Sequence, residues 1–124
     1  KIRKIVIDNG TVTTLAGPAA GSAANTVGDT DGTGNAARFR FPIGITTDGT
    51  NLYVADWFNH KIRKIVIDNG TVTTLVGPAA GSQDNGSTDG NGNAARFWGP
   101  IGITTDGTYL YVTEYSNNKV RRIE

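Results

Sequence analysis

The sequence predicts an all-β fold built from a repeated four-stranded antiparallel meander, and two observations support this prediction. The 124-residue chain repeats itself: residues 1–22 and 61–82 agree at 21 of 22 positions, and residues 31–65 and 89–123 agree at 24 of 35. Runs of β-branched residues alternate with turn-forming segments that hold many of the 17 glycines, a composition typical of short strands and turns. A meander that repeats every 58 to 60 residues is typical of a β-propeller blade.

The N-terminal segment, residues 1–16, is predicted to supply the two outer strands, c and d, of one blade. Its β-branched run Lys1–Asp8 leads into Asn9-Gly10, a dipeptide that favours a type I′ hairpin turn. The returning strand is expected over residues 11–16. A connection rich in Gly, Ala and Asp then covers residues 17–42.

The middle segment, residues 43–76, is predicted to form one complete blade. Its strands a, b, c and d are expected at Ile43–Thr47, Leu52–Asp56, Lys61–Asp68 and Thr71–Val76. A second connection covers residues 77–100, and residues 101–124 supply strands a, b and c of the next blade. Strand c carries apolar residues on both parities, such as Ile62 and Ile65, which predicts that the blade packs between two others.

Three short motifs follow one another in the middle blade: Pro42-x-Gly44-Ile45, Tyr53-Val54-Ala55-Asp56 and Asn59-His60-Lys61-Ile62-Arg63-Lys64-Ile65. Their order and spacing resemble the NHL-repeat β-propeller family. The second copy departs from the pattern, because Thr113-Glu114 replaces Ala-Asp and Asn117-Asn118 replaces Asn-His. The resemblance implies a propeller, usually of six blades, that serves mostly as a binding platform or scaffold.

About two blades cannot close a ring, and an open pair would expose large apolar faces. Two solutions stay open. Three chains could assemble head-to-tail into a six-bladed homotrimer through matching interfaces, or these residues could be part of a longer propeller chain. No membrane partner is expected, because no apolar run approaches the roughly 18 residues that span a bilayer. The composition does not decide the compartment, and an extracellular or cell-surface bacterial location is favoured.

One face of the predicted blades gathers the b–c turns and the connections from strand d to strand a. The repeats diverge there while the strands do not, at Arg40/Trp98, Phe41/Gly99, Trp57/Tyr115 and Phe58/Ser116. The candidate binding residues are Arg40, Trp57, Phe58, Trp98 and Tyr115, since interfaces favour Trp, Tyr and Arg. We expect a protein or peptide ligand, with a glycan or small ligand as the alternative. The competing interpretation is that Phe39, Phe97 and some of these rings pack between blades.

The sequence offers little for catalysis, since it has no cysteine, one histidine and no carboxylate cluster with metal-ligand spacing. We therefore expect no enzyme, no catalytic residue, no metal and no cofactor, and a lyase-like activity is the least favoured alternative. His60 is expected to make a structural hydrogen bond in its turn. Asp29-x-Asp31-Gly32-x-Gly34 is weakly similar to a calcium loop, but ordinary turn chemistry explains these residues as well.

Strand c carries a repeated basic pattern of Lys61, Arg63 and Lys64. Its counterparts are Lys1, Arg3, Lys4, Lys119, Arg121 and Arg122. Repeated around a ring, these residues could form a basic face for RNA. The formal net charge of +1 and the available carboxylates favour solvated or ion-paired side chains instead. The expected partners of these cations are Asp8, Asp56, Asp68 and Glu114, and nucleic acid is not expected as a ligand.

Overall fold

The computed structural model describes residues 1–23 and 26–124, so residues 24–25 of the predicted connection 17–42 lie outside the described residues. Apart from three-residue 3₁₀ turns, the regular elements are strands, and no described helix is long and apolar enough to cross a membrane. The strands are β1 Ile2–Ile5, β2 Val12–Ala16, β3 Gly32–Thr33, β4 Pro42–Thr47, β5 Asn51–Asp56, β6 Lys61–Val66, β7 Thr71–Val76, β8 Pro100–Thr105, β9 Leu110–Glu114 and β10 Lys119–Ile123.

These strands form three antiparallel sheets, here called the first, central and third blades. The first blade contains β1 and β2, the central blade has the order β3-β7-β6-β5-β4, and the third has the order β10-β9-β8. The predicted all-β fold with antiparallel meanders is confirmed. The central blade differs in one respect, because β3 adds a fifth strand outside β7 that the sequence did not predict.

The predicted type I′ hairpin turn is wrong. Gly70 has a φ of 70°, whereas Asn69 does not adopt a positive φ, and a type I′ turn requires both. The N–H of Gly70 donates to the carbonyl oxygen of Val66 at 2.9 Å. The loop is therefore four residues long, and β6 ends at Val66 instead of Asp68. The first hairpin has the same geometry, with only its glycine in the left-handed region.

Both faces of the central blade are packed, as the alternation of apolar residues in strand c predicted. Ile65 belongs to a buried cluster with Phe39 and residues of the first blade. Ile62 belongs to a second cluster with Phe97 and residues of the third blade. Phe39 and Phe97 are 4% and 2% exposed, so these two rings pack between blades as one of the interpretations expected.

The inner strands β4 and β8 approach each other closely at Gly44. A Cβ atom added to Gly44 would lie 2.2 Å from the carbonyl oxygen of Ile101. Only glycine allows this approach of two backbones, which gives the Pro-x-Gly-Ile motif a structural reason. The close packing of the two blades brings their loops together on one face.

Candidate functional site

The connection before β4 and the turn after β5 meet at one face of the central blade. The N–H of Phe58 donates to the carbonyl oxygen of Arg40 at 3.1 Å. The N–H of Arg40 donates to the carboxylate of Asp56 at 2.8 Å. These bonds fix the segment that precedes β4 against the 3₁₀ turn Trp57–Asn59. The candidate residue Arg40 is therefore a neighbour of Trp57 and Phe58, although it is distant from them in the sequence.

Their side chains, together with Phe41, form what we call the aromatic cluster: Arg40, Phe41, Trp57 and Phe58. The ring centroids of Phe41 and Phe58 are 5.1 Å apart, and those of Trp57 and Phe58 are 4.5 Å apart. The guanidinium carbon of Arg40 lies 5.4 Å from the centroid of Phe58. These are contact distances for aromatic pairs and for a cation over a ring. Phe41 is 59% exposed and Phe58 is 38% exposed, so the cluster presents apolar surface to solvent.

Phe41 adopts a backbone conformation that few residues other than glycine adopt. Its φ is 53°, and the equivalent Gly99 of the next repeat has a φ of 70°. The left-handed region costs a non-glycine residue about 1–2 kcal/mol, and the ring of Phe41 is only partly buried, against Phe58. A strained backbone under a mostly exposed ring makes Phe41 a candidate for a functional role. The sequence showed that Phe41 replaces a glycine, but the list of candidate binding residues did not include it.

The third blade repeats the backbone contacts of this face without repeating the cluster. The N–H of Tyr115 donates to the carbonyl oxygen of Gly99 at 2.9 Å, and that of Ser116 donates to the carbonyl oxygen of Trp98 at 3.3 Å. Trp98 is 46% exposed and Tyr115 is 69% exposed. Neither ring pairs with another ring in the described part of the chain. Trp98 and Tyr115 are thus exposed on the same side of the molecule but stand outside the aromatic cluster.

His60 connects the central blade to the third blade. The N–H of Gly99 donates to Nδ1 of His60 at 3.2 Å, so this nitrogen is unprotonated. Burial and, to a lesser extent, the charge of Arg40 lower the pKa of His60, which keeps the imidazole neutral at physiological pH. The structural hydrogen bond that we expected is present, and it extends from the turn to the neighbouring blade.

No protein-family model matches the chain. NHL repeat-containing protein 2 of Bos taurus is 37% identical to it over 101 residues, which are 78% of this chain. A crystal structure of a protein of unknown function from Bacteroides thetaiotaomicron superposes on 97% of this chain with a TM-score of 0.80 and 29% identity. The chain consists of NHL repeats. It spans 14% of the bovine relative and 28% of that solved structure.

A second solved structure is similar in fold, and its low sequence identity supports no conclusion beyond the propeller-type fold. It is an auxiliary nutrient binding protein from Bacteroides ovatus, with a TM-score of 0.76 and 23% identity over 98% of this chain and 31% of its own. Together these comparisons confirm the resemblance to NHL repeats and the antiparallel propeller-type blades. They support a binding scaffold in general terms.

Charged residues of the NHL motif form a buried ion network in the central blade together with Asp31. Arg63 is fully buried, and its guanidinium donates to Asp56 at 2.9 Å and to Asp31 at 2.6 Å. Asn59 donates to the same Asp56 carboxylate at 2.8 Å. Burial raises the pKa of Asp56, although the hydrogen bonds from Asn59 and from the N–H of Arg40 act in the opposite direction. The predicted pairing with Asp56 is confirmed, and Arg63 is not available as part of a basic surface.

The third blade contains a corresponding network. Arg121 contacts the carboxylates of Glu114, at 2.9 Å, and of Asp89, and Asn117 donates to Glu114 at 2.6 Å. Glutamate thus takes the place that aspartate has in the central blade. Among the residues that the structure describes, Asp8 and Asp68 form no ion pair, so these two expected partners are not used.

The segment that is weakly similar to a calcium loop contributes its carboxylates to ion pairs. Asp29 accepts hydrogen bonds from Lys61 at 2.5 Å and from the N–H of Gly81 at 2.7 Å. Burial alone would raise the pKa of Asp29, but these two bonds hold it below its ordinary value. The long-range ion pairs replace the local turn bonds that we had expected there. Within residues 1–23 and 26–124, no group of three or more potential ligands is arranged to hold a metal ion.

Proposed function

We propose that this NHL-repeat chain is a non-enzymatic binding module whose aromatic cluster contacts a protein or peptide. The observation that supports it most strongly is Phe41, because its ring is mostly exposed on a strained left-handed backbone, and contact with a partner would offset that strain. Trp57, Phe58 and Arg40 belong to residue types that carry binding energy at interfaces. Trp98 and Tyr115 would extend the contact surface onto the third blade.

The surroundings of the cluster support binding more than catalysis. The imidazole of His60 uses Nδ1 for a backbone contact, and the nearby carboxylate of Asp56 is occupied by three donors. A catalytic nucleophile is activated by a general base, and these contacts leave neither group free to act as that base. A glycan or small ligand is the second candidate, because partly exposed aromatic rings also provide flat surfaces for such molecules.

The Phe41→Gly variant tests the proposal. Removal of the ring should abolish the binding of ligands selected from peptide and glycan libraries. The thermal unfolding midpoint should not fall, because glycine relieves the strain at this position. Val120→Ala is the matched control, since Val120 is 70% exposed on β10, outside the cluster. Undiminished binding by both Phe41→Gly and Trp57→Ala would contradict the proposal.

We also propose that these blades belong to a closed propeller, formed either by three copies of the chain or by further repeats of a longer chain. Among the described residues, no strand pairs with β1 in the position that β5 occupies beside β6. Ile5 is accordingly 61% exposed, whereas its equivalent Ile65 is fully buried. Light scattering of the 124-residue chain distinguishes the alternatives. A mass of three chains supports the homotrimer, and a stably folded monomer contradicts it.

A further inference from the structure

The aromatic cluster contains a cation whose charge is not balanced by a carboxylate. Nη1 of Arg40 donates to Oε1 of Gln83 at 2.8 Å, and no described ion pair includes Arg40. The carboxylate of Asp56 accepts the backbone N–H of Arg40 and hydrogen bonds from the side chains of Arg63 and Asn59. The guanidinium of Arg40 is therefore available to pair with a carboxylate of another molecule.

The orientation of this guanidinium is specific to the central blade. Arg40 corresponds to Trp98 in the next repeat, and its partner Gln83 lies in the connection where the two repeats differ in length. Two residues that are 43 positions apart thus meet in a single hydrogen bond. The amide of Gln83 holds the guanidinium over the ring of Phe58. A neutral hydrogen-bond partner fixes the position of the cation without neutralising its charge.

We propose that the aromatic cluster selects peptides that carry a carboxylate next to an aromatic or aliphatic side chain. The carboxylate would pair with the guanidinium of Arg40, and the apolar side chain would pack on Phe41 and Phe58. Arginine suits this role, because its planar donors match a carboxylate and its face stacks on aromatic rings. This inference rests on the proposed binding function of the cluster and adds the chemistry of its ligand.

Two peptide pools of equal apolar content test the inference. One pool carries Asp or Glu beside the apolar residue, and the other carries Asn or Gln there. Fluorescence anisotropy should show that the wild-type chain binds the acidic pool about tenfold more tightly, since a hydrogen bond to a charged group commonly contributes that factor. Salt should weaken this preference.

Three variants separate the parts of the proposal. Arg40→Gln should bind both pools with the affinity that the wild type has for the neutral pool. Gln83→Ala should reduce the preference for the acidic pool, because the guanidinium loses the contact that orients it. Phe41→Gly should lose binding to both pools. Thermal unfolding of each variant confirms that it is folded.

The outcomes distinguish this inference from the proposed function. Equal affinity of the wild type for both pools, or an acidic preference that survives in Arg40→Gln, would overturn the inference and leave the binding function in place. Binding that survives in Phe41→Gly would contradict the function itself. Tighter binding of a uronic-acid glycan than of either pool would overturn the choice of a peptide.

Discussion

Replacement of Asp56 by asparagine tests whether the buried ion network stabilises the central blade. Asp56 and Arg63 both have fully buried side chains, and Asp56 accepts hydrogen bonds from Arg63, Asn59 and the N–H of Arg40. Asn has nearly the same size, but it removes the charge and turns one acceptor into a donor. Loss of one partner of a buried pair typically costs about 3–5 kcal/mol. Since Arg63 retains Asp31, which is 40% exposed, we expect about 3 kcal/mol.

Urea unfolding followed by tryptophan fluorescence measures this loss. A domain of this kind is stable by about 5–15 kcal/mol, so Asp56→Asn should shift the transition clearly and lower the midpoint of thermal unfolding by roughly 10 °C. Glu114→Gln in the third blade is the matched control. Its partner Arg121 is 11% exposed, and water can therefore compensate part of the lost contact. We expect the control to lose less than half as much.

A loss below about 1 kcal/mol for Asp56→Asn, or equal losses for the two variants, would refute the reasoning. Either result would mean that the desolvation of the pair cancels its attraction.

Two further predictions concern backbone packing and a charged turn. Gly44→Ala should destabilise the chain by about 1–3 kcal/mol in urea unfolding, because the added methyl group overlaps the backbone of β8. Gly102→Ala is the control. Its methyl group meets only the side chain of Thr113, so this variant should lose less stability. The pKa of Asp48 should lie well below its ordinary value in a carboxyl NMR titration, because the N–H of Asn51 and then the hydroxyl of Tyr53 donate to it. The resulting stabilisation is present above the ordinary pKa and is lost as the pH falls.

Each of these predictions has a clear contrary result. Equal losses for Gly44→Ala and Gly102→Ala would show that the approach of β4 to β8 is not what requires glycine. An ordinary pKa for Asp48 would contradict the hydrogen bonds of its turn. Tyr53→Phe should raise the pKa of Asp48 toward its ordinary value, and no change in that variant would assign the effect to backbone donors alone.

The sheets could be predicted from the sequence because their signals are local and are repeated. Alternating apolar residues such as Ile62 and Ile65 determine which side chains point to each neighbouring blade. The hairpin loop could not be predicted in the same way. Asn69-Gly70 favours a two-residue turn by itself, but the N–H of Ile67 donates to the carbonyl oxygen of Thr50, the residue just before β5. Pairing with β5 determines where β6 ends. The hairpin loop therefore consists of the four residues that remain between Val66 and Thr71.

The pairing with Asp56 and Glu114 was predicted, but the burial of the network and the contribution of Asp31 were not, for a different physical reason. A basic residue on a strand is usually solvated, so Arg63 looked like surface charge. Its burial depends on Asp31, which reaches it from 32 positions away, and on Asp56 from the adjacent strand. The signal was present in the repeat, because Asp31, Asp56 and Arg63 all have charged equivalents in Asp89, Glu114 and Arg121. Charged residues that recur together at a fixed spacing indicate that they contact one another, even when each residue alone would be expected to be exposed to solvent.

The same comparison of repeats separates the framework from the proposed binding face. At the position of Phe41 and Gly99 the backbone requires a left-handed residue in both blades, and glycine meets that requirement with the least strain. Packing explains Gly99, because Trp57 of the preceding blade lies against it. Packing among the described residues does not explain Phe41, whose ring is mostly exposed beside the two-stranded first blade. A substitution that increases backbone strain without burying surface is expected to persist only where the side chain serves another purpose. That purpose is ligand contact if Phe41→Gly gives a chain that is at least as stable as the wild type and does not bind.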